Sequence, residues 1–207
     1  MYKRQLLDIL RNKNIKLKII SGVAGSGKTF CVVAHALNSM QSHKSNINKI
    51  VFAKSPTPLF RSLGLLPGTI DEKLKVWLGA FYDNAKNLGI PDWEIDAMVS
   101  PEDNESGQML EFVSIEHLQG RSLDKTMLIV DEFQQLPLNV LKQIITRAGE
   151  DAEVILLGDP SQIFERNKDE ADFMQLINKA KSSELIAHID LHKGIRSPIA
   201  DWANNNL

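Results

Sequence analysis

Two kinds of apolar pattern alternate along the chain. Short runs rich in branched residues, "LKIIS" at 17–21, "KIVFAK" at 49–54, "MLEFVS" at 109–114, "TMLIVD" at 126–131, "EVILLG" at 153–158 and "LIAHIDL" at 185–191, carry the strand signal. Several are apolar at successive positions, as strands covered on both faces must be. Between them lie helical stretches such as "TFCVVAHALNSM" and "LPLNVLKQIITRAG". Strand then helix, repeated five or six times, predicts an α/β fold: a doubly wound, mainly parallel sheet with helices on both faces. Ligands in such sheets sit beyond the carboxyl ends of the strands, so chemistry is sought there.

The rhythm loosens over 55–108, where proline and glycine punctuation precedes a helix with apolar spacing through Leu74, Trp77, Leu78, Phe81 and Tyr82, and a polar tract follows. This reads as a small helical insertion at the sheet edge, its aromatic stripe serving as core rather than as a base-stacking platform. The first eighteen residues carry Lys3, Arg4, Arg11, Lys13, Lys16 and Lys18 against Asp8 alone. Residues 1–16 are therefore predicted as a basic helix with a solvated face. The closing "NNNL" reads as a frayed end.

At 207 residues and 23.2 kDa the chain suits one domain, 1–207, and is too short for two full α/β domains. An apolar share of 43% argues against disorder. A net charge of −2 gives no global pull toward nucleic acid, so any such contact must use a local patch. The single cysteine, Cys31, excludes an internal disulfide framework and, among apolar neighbours, offers no reactive thiolate. No apolar run approaches the ~20 residues that span a bilayer, and no signal-peptide core is present, so no membrane contact and a cytoplasmic location are expected. His35, His43, His117, His188 and His192 are scattered, without zinc-ligand spacing.

The chemistry starts in "SGVAGSGKTF" at 21–30, where G-x-x-x-x-G-K-T follows a strand and opens a helix. Gly22, Val23, Ala24, Gly25, Ser26, Gly27, Lys28, Thr29 and Phe30 form a phosphate-binding loop in outline. Its backbone N–H groups and the positive end of the next helix face the anion, Lys28 serves the β- and γ-phosphates, and the Thr29 hydroxyl serves Mg²⁺. In "TMLIVDEFQQ" a buried strand ends in Asp131, placed for the Mg²⁺ shell, and Glu132, free to deprotonate a water in line with the γ-phosphate. In "VILLGDPSQI" another strand ends before Gln162, whose amide can donate to a γ-phosphate oxygen and accept from the attacking water. Asp159 and Pro160 are accounted for by an ordinary turn.

These three motifs, in this order, resemble the nucleotide-site motifs of superfamily one helicases. More narrowly, "LGLLPGTIDEKLKVWLGAFYDN", "EHLQGRSLDKTMLIVDEFQQ", "LKQIITRAGEDAEVILLGDPSQI" and "IRSPIADWA" resemble the PhoH family of ATPases, from about residue 17 to 202. The resemblance implies a RecA-like core that uses ATP and Mg²⁺, linked in several members to unwinding or processing of RNA. It adds Gln134 as a coupling residue, Arg121, Arg147 and Arg196 as phosphate or subunit-interface arginines, and Gln5 as a reader of adenine. Gln119 and Phe164 depart from the family's usual residues, which touches the nucleic-acid and interface contacts rather than hydrolysis.

Helicases stabilise the transition-state charge with an arginine from a second domain, a contribution of roughly 10³ in rate. With room for one domain only, an isolated subunit is expected to be a slow ATPase completed by neighbours in a ring homo-oligomer, a hexamer, with single-stranded nucleic acid, RNA before DNA, as the other partner. The competing expectations are an ATP-dependent oligomeric switch without motor activity and a small-molecule kinase. Glu132 and Gln162 argue against a kinase, which must avoid activating water.

Overall fold

The computed structural model describes residues 2–43, 45–54, 70–99, 109–163 and 169–194, the side chains of residues 2, 70–78 and 169–171 left aside. Six strands, β1 (Leu17–Gly22), β2 (Lys49–Lys54), β3 (Leu110–Ser114), β4 (Thr126–Asp131), β5 (Glu153–Gly158) and β6 (Ile186–Leu191), pair in the order β3-β2-β4-β5-β1-β6. Every neighbouring pair is parallel. Helices α1 (Tyr2–Arg11), α2 (Lys28–Gln41), α3 (Ile70–Asn87), α4 (Asp92–Val99), α5 (Leu138–Ile145) and α6 (Asp169–Ala180), with 3-10 turns at Ile115–Leu118, Phe133–Gln135 and Pro160–Gln162, complete the described elements. Each predicted strand is present to within one residue. The amino-terminal helix is shorter than expected: it stops at Arg11 because Asn12 turns the chain, its Oδ1 accepting from the Asn14 N–H at 3.0 Å.

Side-chain alternation divides the core into two layers. On one face Ile20, Ile50, Phe52, Ile129, Ile155 and Leu157 pack with Leu6, Leu10, Val33, Phe81 and Ile95, residues of α1 to α4. On the other face Leu17, Ile19, Val51, Val130, Val154 and Leu156 pack with Leu141, Ile144, Phe173 and Ile177 of α5 and α6. Continuous apolar strands thus follow from burial on both faces, as the sequence indicated. Within the insertion, Phe81 is fully buried and meets Phe52 and Phe112 edge-on with ring centroids 5.7 and 5.2 Å apart. The stripe is core where its side chains are described; Leu74, Trp77 and Leu78 lie outside them, as do "LGLLPG" and "NNNL". Among the described residues no helix is long and apolar enough to cross a membrane.

One strand residue breaks the apolar pattern. Lys18 is fully buried in β1 and its Nζ lies 2.5 Å from Glu153 Oε2, with His35 Nε2 of α2 at 4.0 Å from the same oxygen. Burial pulls Lys18 below the ordinary lysine range, partly offset by Glu153. Replacing one partner strands a buried charge, so Glu153→Gln is expected to lower stability by about 3 kcal/mol, whereas Lys18→Met combined with Glu153→Leu should be near neutral or stabilising. Guanidinium unfolding of the single and double variants measures the contrast.

Candidate nucleotide-binding site

The loop leaves β1 at Gly22 and enters α2 through Gly27, whose φ of 86° is the left-handed conformation that glycine adopts without strain. Lys28 then opens the helix, and its ammonium folds back onto its own loop, donating to Gly22 O at 2.5 Å and Val23 O at 3.1 Å. Burial pulls Lys28 below the ordinary lysine range, while Asp159, Asp131, Glu132 and Asp190 pull the other way. The Ser26 hydroxyl is buried under the loop without a hydrogen-bond partner. Thr29 sits beside Lys28 on the same wall, and Phe30 is 38% exposed at the mouth.

Across a cavity of about 330 Å³ from the loop stand the ends of β2, β4 and β5. Asp131 closes β4; burial and the neighbouring Glu132 push its carboxyl up to about 6. Glu132 follows with φ 58°, a left-handed backbone unusual for a residue with a side chain. Its Oε2 accepts from Gln134 Nε2 at 2.6 Å, and Gln134 Oε1 accepts in turn from the Asp159 N–H at 3.2 Å. Gln134 is only 1% exposed, so this chain of contacts ties the acidic end of β4 to the end of β5 beneath the cavity. Gly158 makes room for it: a Cβ there would lie 2.7 Å from both Gln134 Oε1 and the Phe133 ring. Gln162 lines the cavity from a 3-10 turn at Pro160–Gln162, anchored where its carbonyl accepts from Gln135 Nε2.

The Gln134 contact is open to test. Gln134→Leu keeps the volume but frees Glu132 and orphans a buried N–H, so stability should fall by about 1–3 kcal/mol. Denaturant unfolding of the variant beside the wild type measures the loss.

The side chains present fit a magnesium triphosphate. Asp159 Oδ2, on the cavity wall, is buried and unpartnered, and a buried polar atom of that kind calls for a polar ligand. A hydroxyl and a carboxylate, from Thr29 and Asp131, are hard oxygen donors suited to a cation that keeps phosphate and water ligands. Among the described residues no group of three His, Cys, Asp or Glu side chains could hold a metal unaided.

The arginines stand elsewhere. Arg121 grips Glu111 of β3 bidentately at 2.8 and 2.7 Å, and Lys49 reaches the same carboxylate at 2.8 Å. Against the upward push of burial, hydrogen bonds from Arg121 and Lys49 hold Glu111 below the usual carboxylate range. Glu111 is in register with Val51, three residues before the end of β2, so this cluster lies roughly 10 Å down the sheet from the strand ends. Arg147 follows α5, its Nε donating to Gln143 O at 3.1 Å, beside a separate cavity of about 400 Å³ lined also by Gln119 and Gly120. Gln5 is on an exposed position of α1; Lys3 of the same helix is the residue whose Nζ approaches Gly27, at 3.9 Å from where a Cβ would be. Arg196 and Phe164 lie outside the described residues.

Two site residues escaped the sequence reading. Asp159 is 4% exposed; its Oδ1 accepts from the Ser161 N–H and hydroxyl at 3.0 and 2.6 Å, as the turn requires, but Oδ2 is left over inside the cavity wall. Lys54, the last residue of β2, lines the same cavity. The rule that ligands sit beyond strand ends, applied to β2 as it was to β1, β4 and β5, would have found it.

A family model described as PhoH-like protein matches residues 2–206. Over 206 residues the chain is 30% identical to Protein PhoH2 of Bacillus subtilis, covering 97% of this chain and 45% of that one. Protein PhoH2 of Thermobispora bispora is 33% identical over 202 residues, 96% and 44% of the two chains. The chain thus spans less than half the length of these relatives. Among solved structures, the large terminase of a thermophilic bacteriophage matches with a TM-score of 0.53 at 12% identity, covering 92% of this chain and 44% of that one, a likeness of fold. The phosphate loop, the strand order and the family match over nearly the whole sequence agree, and the chain belongs to the PhoH family, on a P-loop NTPase fold.

Proposed function

We propose that the chain binds and hydrolyses ATP with Mg²⁺. The observation that carries this reading is the cavity lined by Lys28 and Thr29 of the loop together with Asp131, Glu132 and Gln162 at the ends of two other strands. Loop amides and Lys28 hold the phosphates; Glu132, oriented by Gln134, accepts a proton from water; Gln162 orients that water. Thr29 and Asp131 would hold Mg²⁺, which when bound would supply charge neutralisation on the phosphates.

The finer reading is that hydrolysis serves nucleic-acid remodelling, RNA before DNA, in a ring homo-oligomer, with 1–207 acting as one ATPase domain in the cytoplasm. Arg121, Arg147 and Arg196 are the arginines offered to a neighbour's site, and Gln5 the adenine reader. The position of Arg121 and Arg147 away from their own cavity supports action in trans. The engagement of Arg121 with Glu111 favours a second reading, an oligomeric switch of slow turnover. Phosphate release with and without single-stranded RNA or DNA decides between them: stimulation supports coupling, slow unstimulated turnover supports the switch, and ADP formed only with a phosphate acceptor, with no free phosphate, would reveal a kinase. Replacing all three arginines by alanine should lower turnover of the assembled protein; an unchanged rate would refute the trans assignment.

A further inference from the structure

Lys54 closes β2 in register with Asp131 on β4. Residues two apart on a strand share a face, and Phe52 belongs to the core layer shared with α2 and α3, so Lys54 stands on the loop side of the sheet. It borders the cavity beside Ala80 and Asn84 of α3, facing Lys28, Thr29, Asp131 and Glu132. Asn84 donates its Nδ2 to Ala80 O at 2.5 Å within α3. Among the described residues Lys54 forms none of the ion pairs, whereas Lys18, Lys49 and Arg121 are committed to carboxylates. The cavity therefore holds two lysines on different walls: one on the loop, turned onto its own carbonyls, and one at the end of a rigid strand beside the acidic pair.

From this we infer that Lys54 is a second phosphate-contacting residue, which binds the terminal phosphate from the side of the cavity away from the loop. The inference rests on the ATP reading above and sharpens it. Lys28, at the loop, serves the β-phosphate that ATP and ADP share as well as the γ-phosphate; Lys54, beside the residues that would hold the cation and activate water, meets only the phosphate that ATP alone carries. It supplies within the chain a positive charge next to the reacting group, where helicase-type sites draw one from a second domain.

The test is binding rather than turnover. Affinities for the Mg²⁺ complexes of ADP and of a non-hydrolysable ATP analogue with an imido bridge are measured by calorimetry for the wild type, Lys54→Met and Lys54→Arg. A lost charge-assisted hydrogen bond should weaken the analogue roughly 10- to 100-fold in Lys54→Met and leave ADP within about threefold, with Lys54→Arg retaining most of the analogue affinity. Equal loss for both nucleotides, or no loss for the analogue, would overturn the assignment. If the wild type binds neither nucleotide, the ATP reading itself falls and takes this inference with it. Thermal melting without nucleotide checks each fold, and Lys54→Gln replaces the methionine variant if that one does not fold.

Discussion

Glu132→Gln is expected to lower ATP turnover roughly 10³-fold or more while ATP stays bound, the range associated with removal of a well-placed general base. Glutamine keeps the shape of the side chain and can still meet Gln134, so the contact with the end of β5 survives with its polarity rearranged. What disappears is the ability to take a proton from water. Single-turnover phosphate release and filter-bound ATP, measured on one preparation, give the two halves of the result. Hydrolysis at the wild-type rate by the glutamine variant would remove Glu132 from the mechanism.

Lys28→Ala should be felt one step earlier, in binding. Its ammonium can make two or three charge-assisted hydrogen bonds to phosphate oxygens, each about 1.5–3 kcal/mol, so affinity for ATP and ADP alike should fall roughly 10³-fold. The ammonium turned onto Gly22 O and Val23 O shows that the loop can satisfy this charge by itself. Alanine leaves those two carbonyls to water entering the cavity, so the variant should fold with a modest penalty, and the loss should read as lost affinity rather than lost protein. Calorimetry with both nucleotides, beside a thermal melt, checks this; near-normal binding of either one would contradict the loop's assignment.

The fold was legible because burial on both faces leaves a continuous apolar signature, and most of the strands end at a turn or charged residue that sequence can mark. The loop was legible because its geometry demands glycine at fixed offsets. The rest depended on contacts between distant segments. Gln134 entered only through family resemblance, since nothing local says that its two ends reach Glu132 and the Asp159 N–H. Asp159 was explained by its turn, and the turn accounts for one oxygen; only the folded chain shows the other left over. Arg121 looked available for phosphate, yet its partner Glu111 lies on an edge strand and meets it only after the chain doubles back. Lys54 carried no motif, and its meaning comes from being in register with Asp131.

The left-handed backbone at Glu132 has a consequence for how this position can vary. Holding an L-residue there costs about 1 kcal/mol, which glycine would recover and asparagine would partly avoid. β-Branched replacements would instead add crowding to the same turn. The position is thus under opposed demands: backbone strain favours glycine, whereas the contact with buried Gln134 and the proposed proton-accepting role favour glutamate. A lineage that gave up hydrolysis while keeping the fold would be expected to drift toward asparagine, which tolerates this backbone and keeps a polar group there, before changing the phosphate loop.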